Sequence, residues 1–345
     1  MAYFKSGDLE IYVEGEVVTD LAEVSRYIKR GGVAVGLFSY HLAPWENISV
    51  RKRASWPDVL FVVGRRHTPP GGISASCKGV PAGGVEAERY MEAVKAAKEA
   101  IARGEVFQLV VARFVKYETD CRPREILRRL TAEGRYRFFL EAGELGLAGI
   151  SPEILVKVRD GVAVSGPIGG TKPRGATEEE DRALEAELLN SAKERAEHIM
   201  LIDSVRNDLG RVCRWGTVTP AATFVVEKYN YVQHLVSYIQ CRLDGLYTPL
   251  DAVTALNPTT TVTGVPKPRA MELIDSLEAE PRGPFAGSFG VVTQNWADFA
   301  VIIRSIYLEG GHAYLWAGAG VVADSTPEGE FRETEVKMAP LRLDH

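Results

Sequence analysis

With 345 residues, 46% of them hydrophobic and 25% charged, the chain has the balance of a globular protein long enough to bury a sizeable core. A formal charge of −5 excludes the clustered basic face that a nucleic-acid surface needs, and no run of about 18 apolar residues is present to span a membrane. The first eight residues hold no apolar signal core, and Cys77, Cys121, Cys213 and Cys241 show neither metal-knuckle nor disulfide-dense spacing, so free thiols in a cytoplasmic protein are expected.

Residues 9–64 carry short β-like runs at 9–13, 33–40 and 59–63, separated by turn residues, with one helix over 20–30. The Pro- and Gly-rich stretch 67–84 predicts a loop, a surface excursion or a join. It divides a single domain, 1–345, into a short N-terminal region, 1–80, and a catalytic core, 86–340. A helix is expected over 86–104, with Tyr90, Ala93, Val94, Ala97 and Ile101 along one face. The β-branched and aromatic run 106–115 predicts a strand, followed by a helix near 122–133 and hairpin-like strands over 136–166.

A charged helical stretch runs from 177 to 208, capped by Thr177 and opened by Glu178, Glu179 and Glu180, acids favoured near a helix N-terminus. Strands resume beyond 215. A helix over 249–256 follows, with Thr248 as cap and Pro249 at a position that needs no N–H. Another helix is predicted over 268–277, then strands to 322, then a last helix from about Pro327. No internal repeat is visible. Strands and helices come in clusters, which favours an α+β fold with large antiparallel sheets over a doubly wound parallel one.

Two carboxylate pairs share one spacing: Glu194 and Glu197 in KERAEH, and Glu330 and Glu333 in EGEFRET. The i, i+3 spacing puts each pair on one helical face. Two such faces meeting would suit a hard cation such as Mg²⁺; two solvated surface helices would carry the same pattern. Downstream, AGAG at 317–320 follows an apolar strand, where backbone N–H groups can approach a carboxylate closely. Arg304 interrupts the apolar run FAVIIR, and Lys337 lies four residues beyond Glu333. Together they outline a pocket for a small carboxylate-bearing anion. His234 has apolar neighbours, the setting of a hydrogen-bonded core histidine as well as of a catalyst. No Ser/His/Asp or Cys/His nucleophile set appears, and the Gly-Xaa-Cys-Xaa-Gly elbow of a glutaminase is absent.

Nine segments occur in fixed order: GEVFQLVVAR (104–113), SPE (151–153), GPIGGTKPRG (166–175), AEHIMLID (196–203), RNDLGR (206–211), EKYNYVQHLVS (227–237), TVTGVPK (261–267), RGPFAG (282–287), and AGAG running into ETEVK (333–337). In these the chain resembles the chorismate-utilising enzymes, and within them the anthranilate synthase component I group. The resemblance implies two large antiparallel β-sheets packed together with helices outside and the site between them. It implies Mg²⁺ on Glu197 and Glu333, with Glu194 and Glu330 nearby. Glu153 would be the general acid, His234 would assist the later proton transfer, and Thr261 would complete the catalytic set. Gly170, Thr171, Arg304, Gly318, Ala319, Gly320 and Lys337 would hold chorismate.

Relatives that add water to the ring use a Lys base where this chain has Gln108, and aminodeoxychorismate synthases use a nucleophilic Lys where it has Gly169. What remains is attack by ammonia, supplied by a separate glutamine amidotransferase subunit, then loss of pyruvate. Two alternatives stay open: an aminodeoxychorismate synthase component I, and a non-catalytic chorismate-binding paralogue. Phe285 stands where the family has Tyr, which removes a hydroxyl for the pyruvyl carboxylate, and PTTT at 258–261 replaces Pro-Ala-Gly-Thr. Leu-Leu-Glu-Ser, near which regulated members bind tryptophan, is absent, so no tryptophan inhibition is expected.

Overall fold

The computed structural model describes residues 1–43, 45, 48–68, 77–130, 134–230 and 232–344. The N-terminal part runs β1 (Ala2–Ser6), β2 (Leu9–Val18), α1 (Leu21–Lys29), β3 (Ala34–Phe38), β4 (Val59–His67) and β5 (Val80–Gly84). It continues with α2 (Ala87–Ala102), β6 (Gln108–Glu118), α3 (Pro123–Arg129), β7 (Tyr136–Ala142), β8 (Leu145–Ser151), β9 (Ile154–Arg159), β10 (Val162–Gly166) and β11 (Ile168–Pro173). Then come α4 (Glu178–Asn190), α5 (Ala192–Gly210), β12 (Thr219–Lys228), β13 (Val232–Arg242), α6 (Pro249–Leu256), β14 (Gly264–Val265) and α7 (Lys267–Leu277). The chain closes with β15 (Ser288–Val292), β16 (Trp296–Val301), β17 (Ser305–Glu309), β18 (His312–Val321) and α8 (Pro327–Met338).

Local chemistry sets the helix starts. Asp20, Thr177, Thr248 and Thr326 each accept a backbone N–H from the first turn of the helix they precede, satisfying one orphan donor. Pro249 and Pro327 open α6 and α8. The charged stretch 177–208 is not one helix. Ser191, with φ −65° and ψ 111°, leaves the helical region and its side chain accepts from Glu194 N, so a second cap starts α5. The helix expected near 122–133 is shorter, and residues 131–133 of that expectation lie outside the described set. Of the loop expected over 67–84, residues 69–76 lie outside it too, whereas β5 is a strand paired with β6.

Among the described residues every strand pairing is antiparallel. The ladder runs β5–β6–β18–β17–β8–β7–β1–β2. It continues β2–β4–β3–β15–β16–β9–β10–β13–β12. β14 pairs with β6, and β11 shares β13. Five steps of this ladder separate β7 from β15, yet the rings of Phe138 and Phe289 stack at 4.8 Å. The sheet therefore folds onto itself, and the two packed layers are two halves of one continuous antiparallel sheet. Phe4, Phe38, Phe61, Phe138, Phe289 and Phe299 fill the space between them, each burial contributing about 1.5–3 kcal/mol. The N-terminal strands belong to the same construction: β1 pairs with β7 and β3 with β15.

The cysteines depart from expectation. Cys77 pairs with Cys121 and Cys213 with Cys241, across separations of 44 and 28 residues and Cα–Cα distances of 5.4 and 6.0 Å. No free thiol remains. Spacing along the chain carries no information about which strands and loops the sheet brings side by side, so the pairing was invisible in the sequence. Among the described residues, no helix is long and apolar enough to cross a membrane.

Candidate active site

At the end of β8 the chain turns through Pro152 to Glu153, whose carbonyl accepts from Val301 N. Glu153 is 4% exposed. Burial pushes its carboxyl up to about 7, against the Thr261 hydroxyl, the Ile168 backbone N–H and the Lys337 charge, which all favour ionisation. Its Oε1 is buried without a hydrogen-bond partner, and so is Thr261 Oγ1. A buried carboxyl held near neutral pH is equipped to deliver a proton.

His234, on β13, lies across the adjoining strand β11, with Nδ1 2.9 Å from Thr171 Oγ1. Its Nε2 is buried and unbonded. Burial lowers the imidazole to about 4 and the Arg304 charge adds to the effect, so the ring is neutral at physiological pH and Nε2 can take a proton. Tyr229 stands edge-on to the ring at 5.7 Å.

Arg304 is not inside a strand. It lies between the end of β16 at Val301 and the start of β17 at Ser305, with φ +48°, an uncommon conformation for a long side chain. The glycines of 317–320 likewise form no loop. They lie within β18, with Gly318 opposite Ala112 and Gly320 opposite Val110 on β6. Their lack of side chains has a local cause: a Cβ at Gly320 would stand 2.8 Å from Gln108 Nε2, and one at Gly318 would stand 3.1 Å from Val110 Cγ1. Lys337 reaches back from α8 to donate to Gly318 O at 2.9 Å and to Glu333 Oε1 at 2.7 Å. Ala319 is buried between these glycines.

The carboxylate pairs begin two helices. Burial raises the carboxyls of Glu197 and Glu330. Glu194, Asp324 and Glu330 raise Glu197 further, while Glu333 raises Glu330. The four predicted ligands therefore share one electrostatic neighbourhood, with Asp324 an addition the sequence did not suggest. They do not close on a common point: among the described residues, no three His, Cys, Asp or Glu side chains stand in metal-binding geometry. Like charges drawn together, with Lys193, Lys337 and the Ser325 hydroxyl opposing them, match the oxygen-rich donor set of a hard divalent cation.

Phe285 is buried and stacks on Trp316 at 5.6 Å. The bulkier 258–261 segment is accommodated because the Thr260 hydroxyl bonds Ser204 of α5, and Thr263 Oγ1 donates to Thr259 O at 2.9 Å. Three features had no role in the sequence reading. Lys267 and Asp208 form a buried ion pair at 2.5 Å. Arg282 bonds Glu278 and the carbonyls of Val110 and Val262, tying β6 to the segment bearing Thr261. His198 is packed on Gly169. All three lie in the segments that carry the resemblance, but each has a partner distant in sequence: Gly169 for His198, Asp208 for Lys267 and Val110 for Arg282.

Residues 83–342 match the family profile described as chorismate binding enzyme. The chain belongs to that family. Among curated relatives, anthranilate synthase component 1 of Saccharolobus solfataricus is 44% identical over 257 residues, covering 73% of this chain and 61% of that protein. Its counterpart from Thermococcus kodakarensis is 46% identical over 254 residues, covering 73% of this chain and 58% of that protein. The matched part thus spans about three-fifths of these relatives' length. The crystal structure of anthranilate synthase component I from Streptococcus pneumoniae superposes with a TM-score of 0.78 at 28% identity, covering 99% of this chain and 90% of that one. The menaquinone-specific isochorismate synthase of Escherichia coli superposes with a TM-score of 0.82 at 22% identity, covering 100% and 88%, a likeness of fold. The folded-over antiparallel sheet with outer helices is thus the architecture of chorismate-binding enzymes.

Proposed function

We propose that the chain is the ammonia-using large subunit of an anthranilate synthase, converting chorismate and ammonia to anthranilate and pyruvate in tryptophan biosynthesis. The observation that carries this is that one segment, 168–171, holds two oppositely tuned groups: the Ile168 N–H bonds Glu153, and Thr171 Oγ1 lies 2.9 Å from His234 Nδ1. Glu153 keeps its proton up to about 7, and His234 stays neutral down to about 4. The names of the relatives at 44% and 46% identity support the same reaction.

The residues act as follows. Arg304, Lys337 and the backbone of Gly318–Gly320 hold the substrate carboxylates, and Gly170 and Thr171 border the ring. Glu153 donates its proton to the departing C4 hydroxyl, with Thr261 beside it. Ammonia forms the new C–N bond at C2, giving aminodeoxyisochorismate. Neutral His234 then takes the C2 proton through Nε2 as the C3–O bond breaks, and a proton returned to the enolpyruvyl methylene carbon gives pyruvate and the aromatic ring. Mg²⁺ on Glu197 and Glu333, with Glu194 and Glu330 directly or through water, would supply positive charge for the ring carboxylate and for loss of the hydroxyl. The amide of Gln108 cannot serve as a base for water, and Gly169 has no side chain with which to attack. Ammonia comes from a separate glutaminase subunit, since the chain has no Gly-Xaa-Cys-Xaa-Gly elbow.

The test is chorismate turnover titrated with Mg²⁺ and ammonium, with products separated and identified. Anthranilate and pyruvate in equal amounts, dependent on both additions, are expected. Isochorismate or aminodeoxychorismate as the main product would overturn the reading, as would chorismate binding without turnover. Release of glutamate from glutamine by the isolated chain would overturn the partner assignment.

A further inference from the structure

Two consecutive glycines of β11 lie directly beneath one face of α5. A Cβ added at Gly169 would stand 2.6 Å from His198 Nδ1 and 3.1 Å from Leu201 Cδ1. At Gly170, whose φ is +58°, it would stand 2.8 Å from Glu194 Oε2 and 2.9 Å from Leu188 Cδ1. Glu194 and His198 are four residues apart, one helical turn, so the same face of the helix presses on both glycines.

His198 is 0% exposed and fixed from behind. Its Nε2 lies 2.8 Å from Ser237 Oγ, which also accepts from Phe224 N at 3.0 Å. The other nitrogen, Nδ1, is buried without a hydrogen-bond partner. A buried, unsatisfied imidazole nitrogen costs free energy, so its position against Gly169 has to be maintained by packing.

The segment underneath joins both reactive groups. The Ile168 N–H favours the ionised form of Glu153, the Gly170 backbone bonds His234, and the Thr171 hydroxyl holds His234 Nδ1 at 2.9 Å. Whatever sets the height of residues 168–171 sets both groups at once.

We propose that His198 is a positioning residue: seated on side-chain-free Gly169, it holds the 168–171 segment so that Glu153 and His234 stay aligned, and it closes position 169 to any side chain. The closure leaves no room at position 169 for a side chain of any kind. The catalytic half of this inference rests on the proposed function; the packing half stands on the geometry alone.

A double-mutant comparison tests it with two readouts, thermal melting and steady-state kinetics with chorismate and ammonium. Gly169→Ala in the otherwise unmodified chain is expected to lower Tm and to cut kcat by about tenfold or more, since small displacements of reacting groups are costly. Adding His198→Ala to it is expected to recover Tm and part of kcat. His198→Asn, smaller but still able to bond Ser237, is expected to keep Tm while lowering kcat and moving the pH at which the rate falls, a move that a smaller folded fraction does not produce. If the unmodified chain turns over no chorismate, the proposed function fails, yet the Tm comparison still decides the packing. The inference is overturned if Gly169→Ala is as stable as the unmodified chain, if the double variant is no better than Gly169→Ala, or if His198→Asn leaves kcat unchanged.

Discussion

The Glu153–His234 pair and the carboxylate faces of α5 and α8 adjoin through Gly170, but they are built on opposite principles. In the pair, both groups are buried, each keeps an unbonded atom, and burial shifts each toward its neutral form. At the helix ends, half-buried carboxylates push on one another without a common point of contact. Under the proposed function the acid and base would be preorganised by the fold, whereas a cation site would be assembled by what it binds. Burial can hold a neutral group in place at little cost, but it cannot hold four negative charges together unaided.

Removing the Glu153 proton donor probes the preorganised half and carries the largest expected effect. Glu153→Gln keeps size and burial but cannot give up a proton as an acid does, so kcat should fall roughly 10²–10⁴-fold with the melting temperature retained. A kcat within a few-fold of the unmodified chain would show that the pocket is not where the proton comes from.

Next in size are Glu197→Gln and Glu333→Gln, directed at the assembled half. Each should abolish turnover at modest Mg²⁺ while the chain stays folded. Loss of a ligand costs no less than the 10- to 100-fold typical of outer-shell changes, or roughly that much more metal for half-maximal rate. The contrast with Glu153→Gln is diagnostic, because added Mg²⁺ should rescue the helix-end variants in part and the pocket variant not at all. Near-normal rates in both helix-end variants would remove the metal from α5 and α8.

A smaller effect is read in pH profiles. Glu153 is raised by burial and acts while protonated, so the rate should hold below about 7 and fall as pH rises through that value. The same sign applies to stability: the group's contribution is fully present below an ordinary carboxylate pKa and is lost as pH rises through about 7. His234, lowered to about 4, should impose no limit between pH 5 and 7. A rate that climbs steadily from pH 6 to 9 would contradict the acid role.

The smallest expected change comes from Gln108→Lys, which installs a base for water beside Gly320. A minor isochorismate product beside anthranilate is expected, detectable by chromatography. Its magnitude depends on how far burial lowers the new amine.

Much of this protein was legible in its residues. The caps at Thr177 and Thr248 act within one turn of where they stand, so the helix starts they mark need only local chemistry. Family membership and the list of candidate site residues were also available, because nine segments keep their order along one chain. Tertiary structure decided what depends on partners distant in sequence. Only the sheet register shows that AGAG is the middle of β18 and that its glycines make room for Gln108 and Val110. Only the folding of one sheet onto itself brings Phe138 against Phe289, and only the pairing of β5 with β6 brings Cys77 to Cys121. The tuning of Glu153 and His234 belongs to the same class: a pKa is set by desolvation and neighbouring charge, and neither exists until the chain has closed around the group.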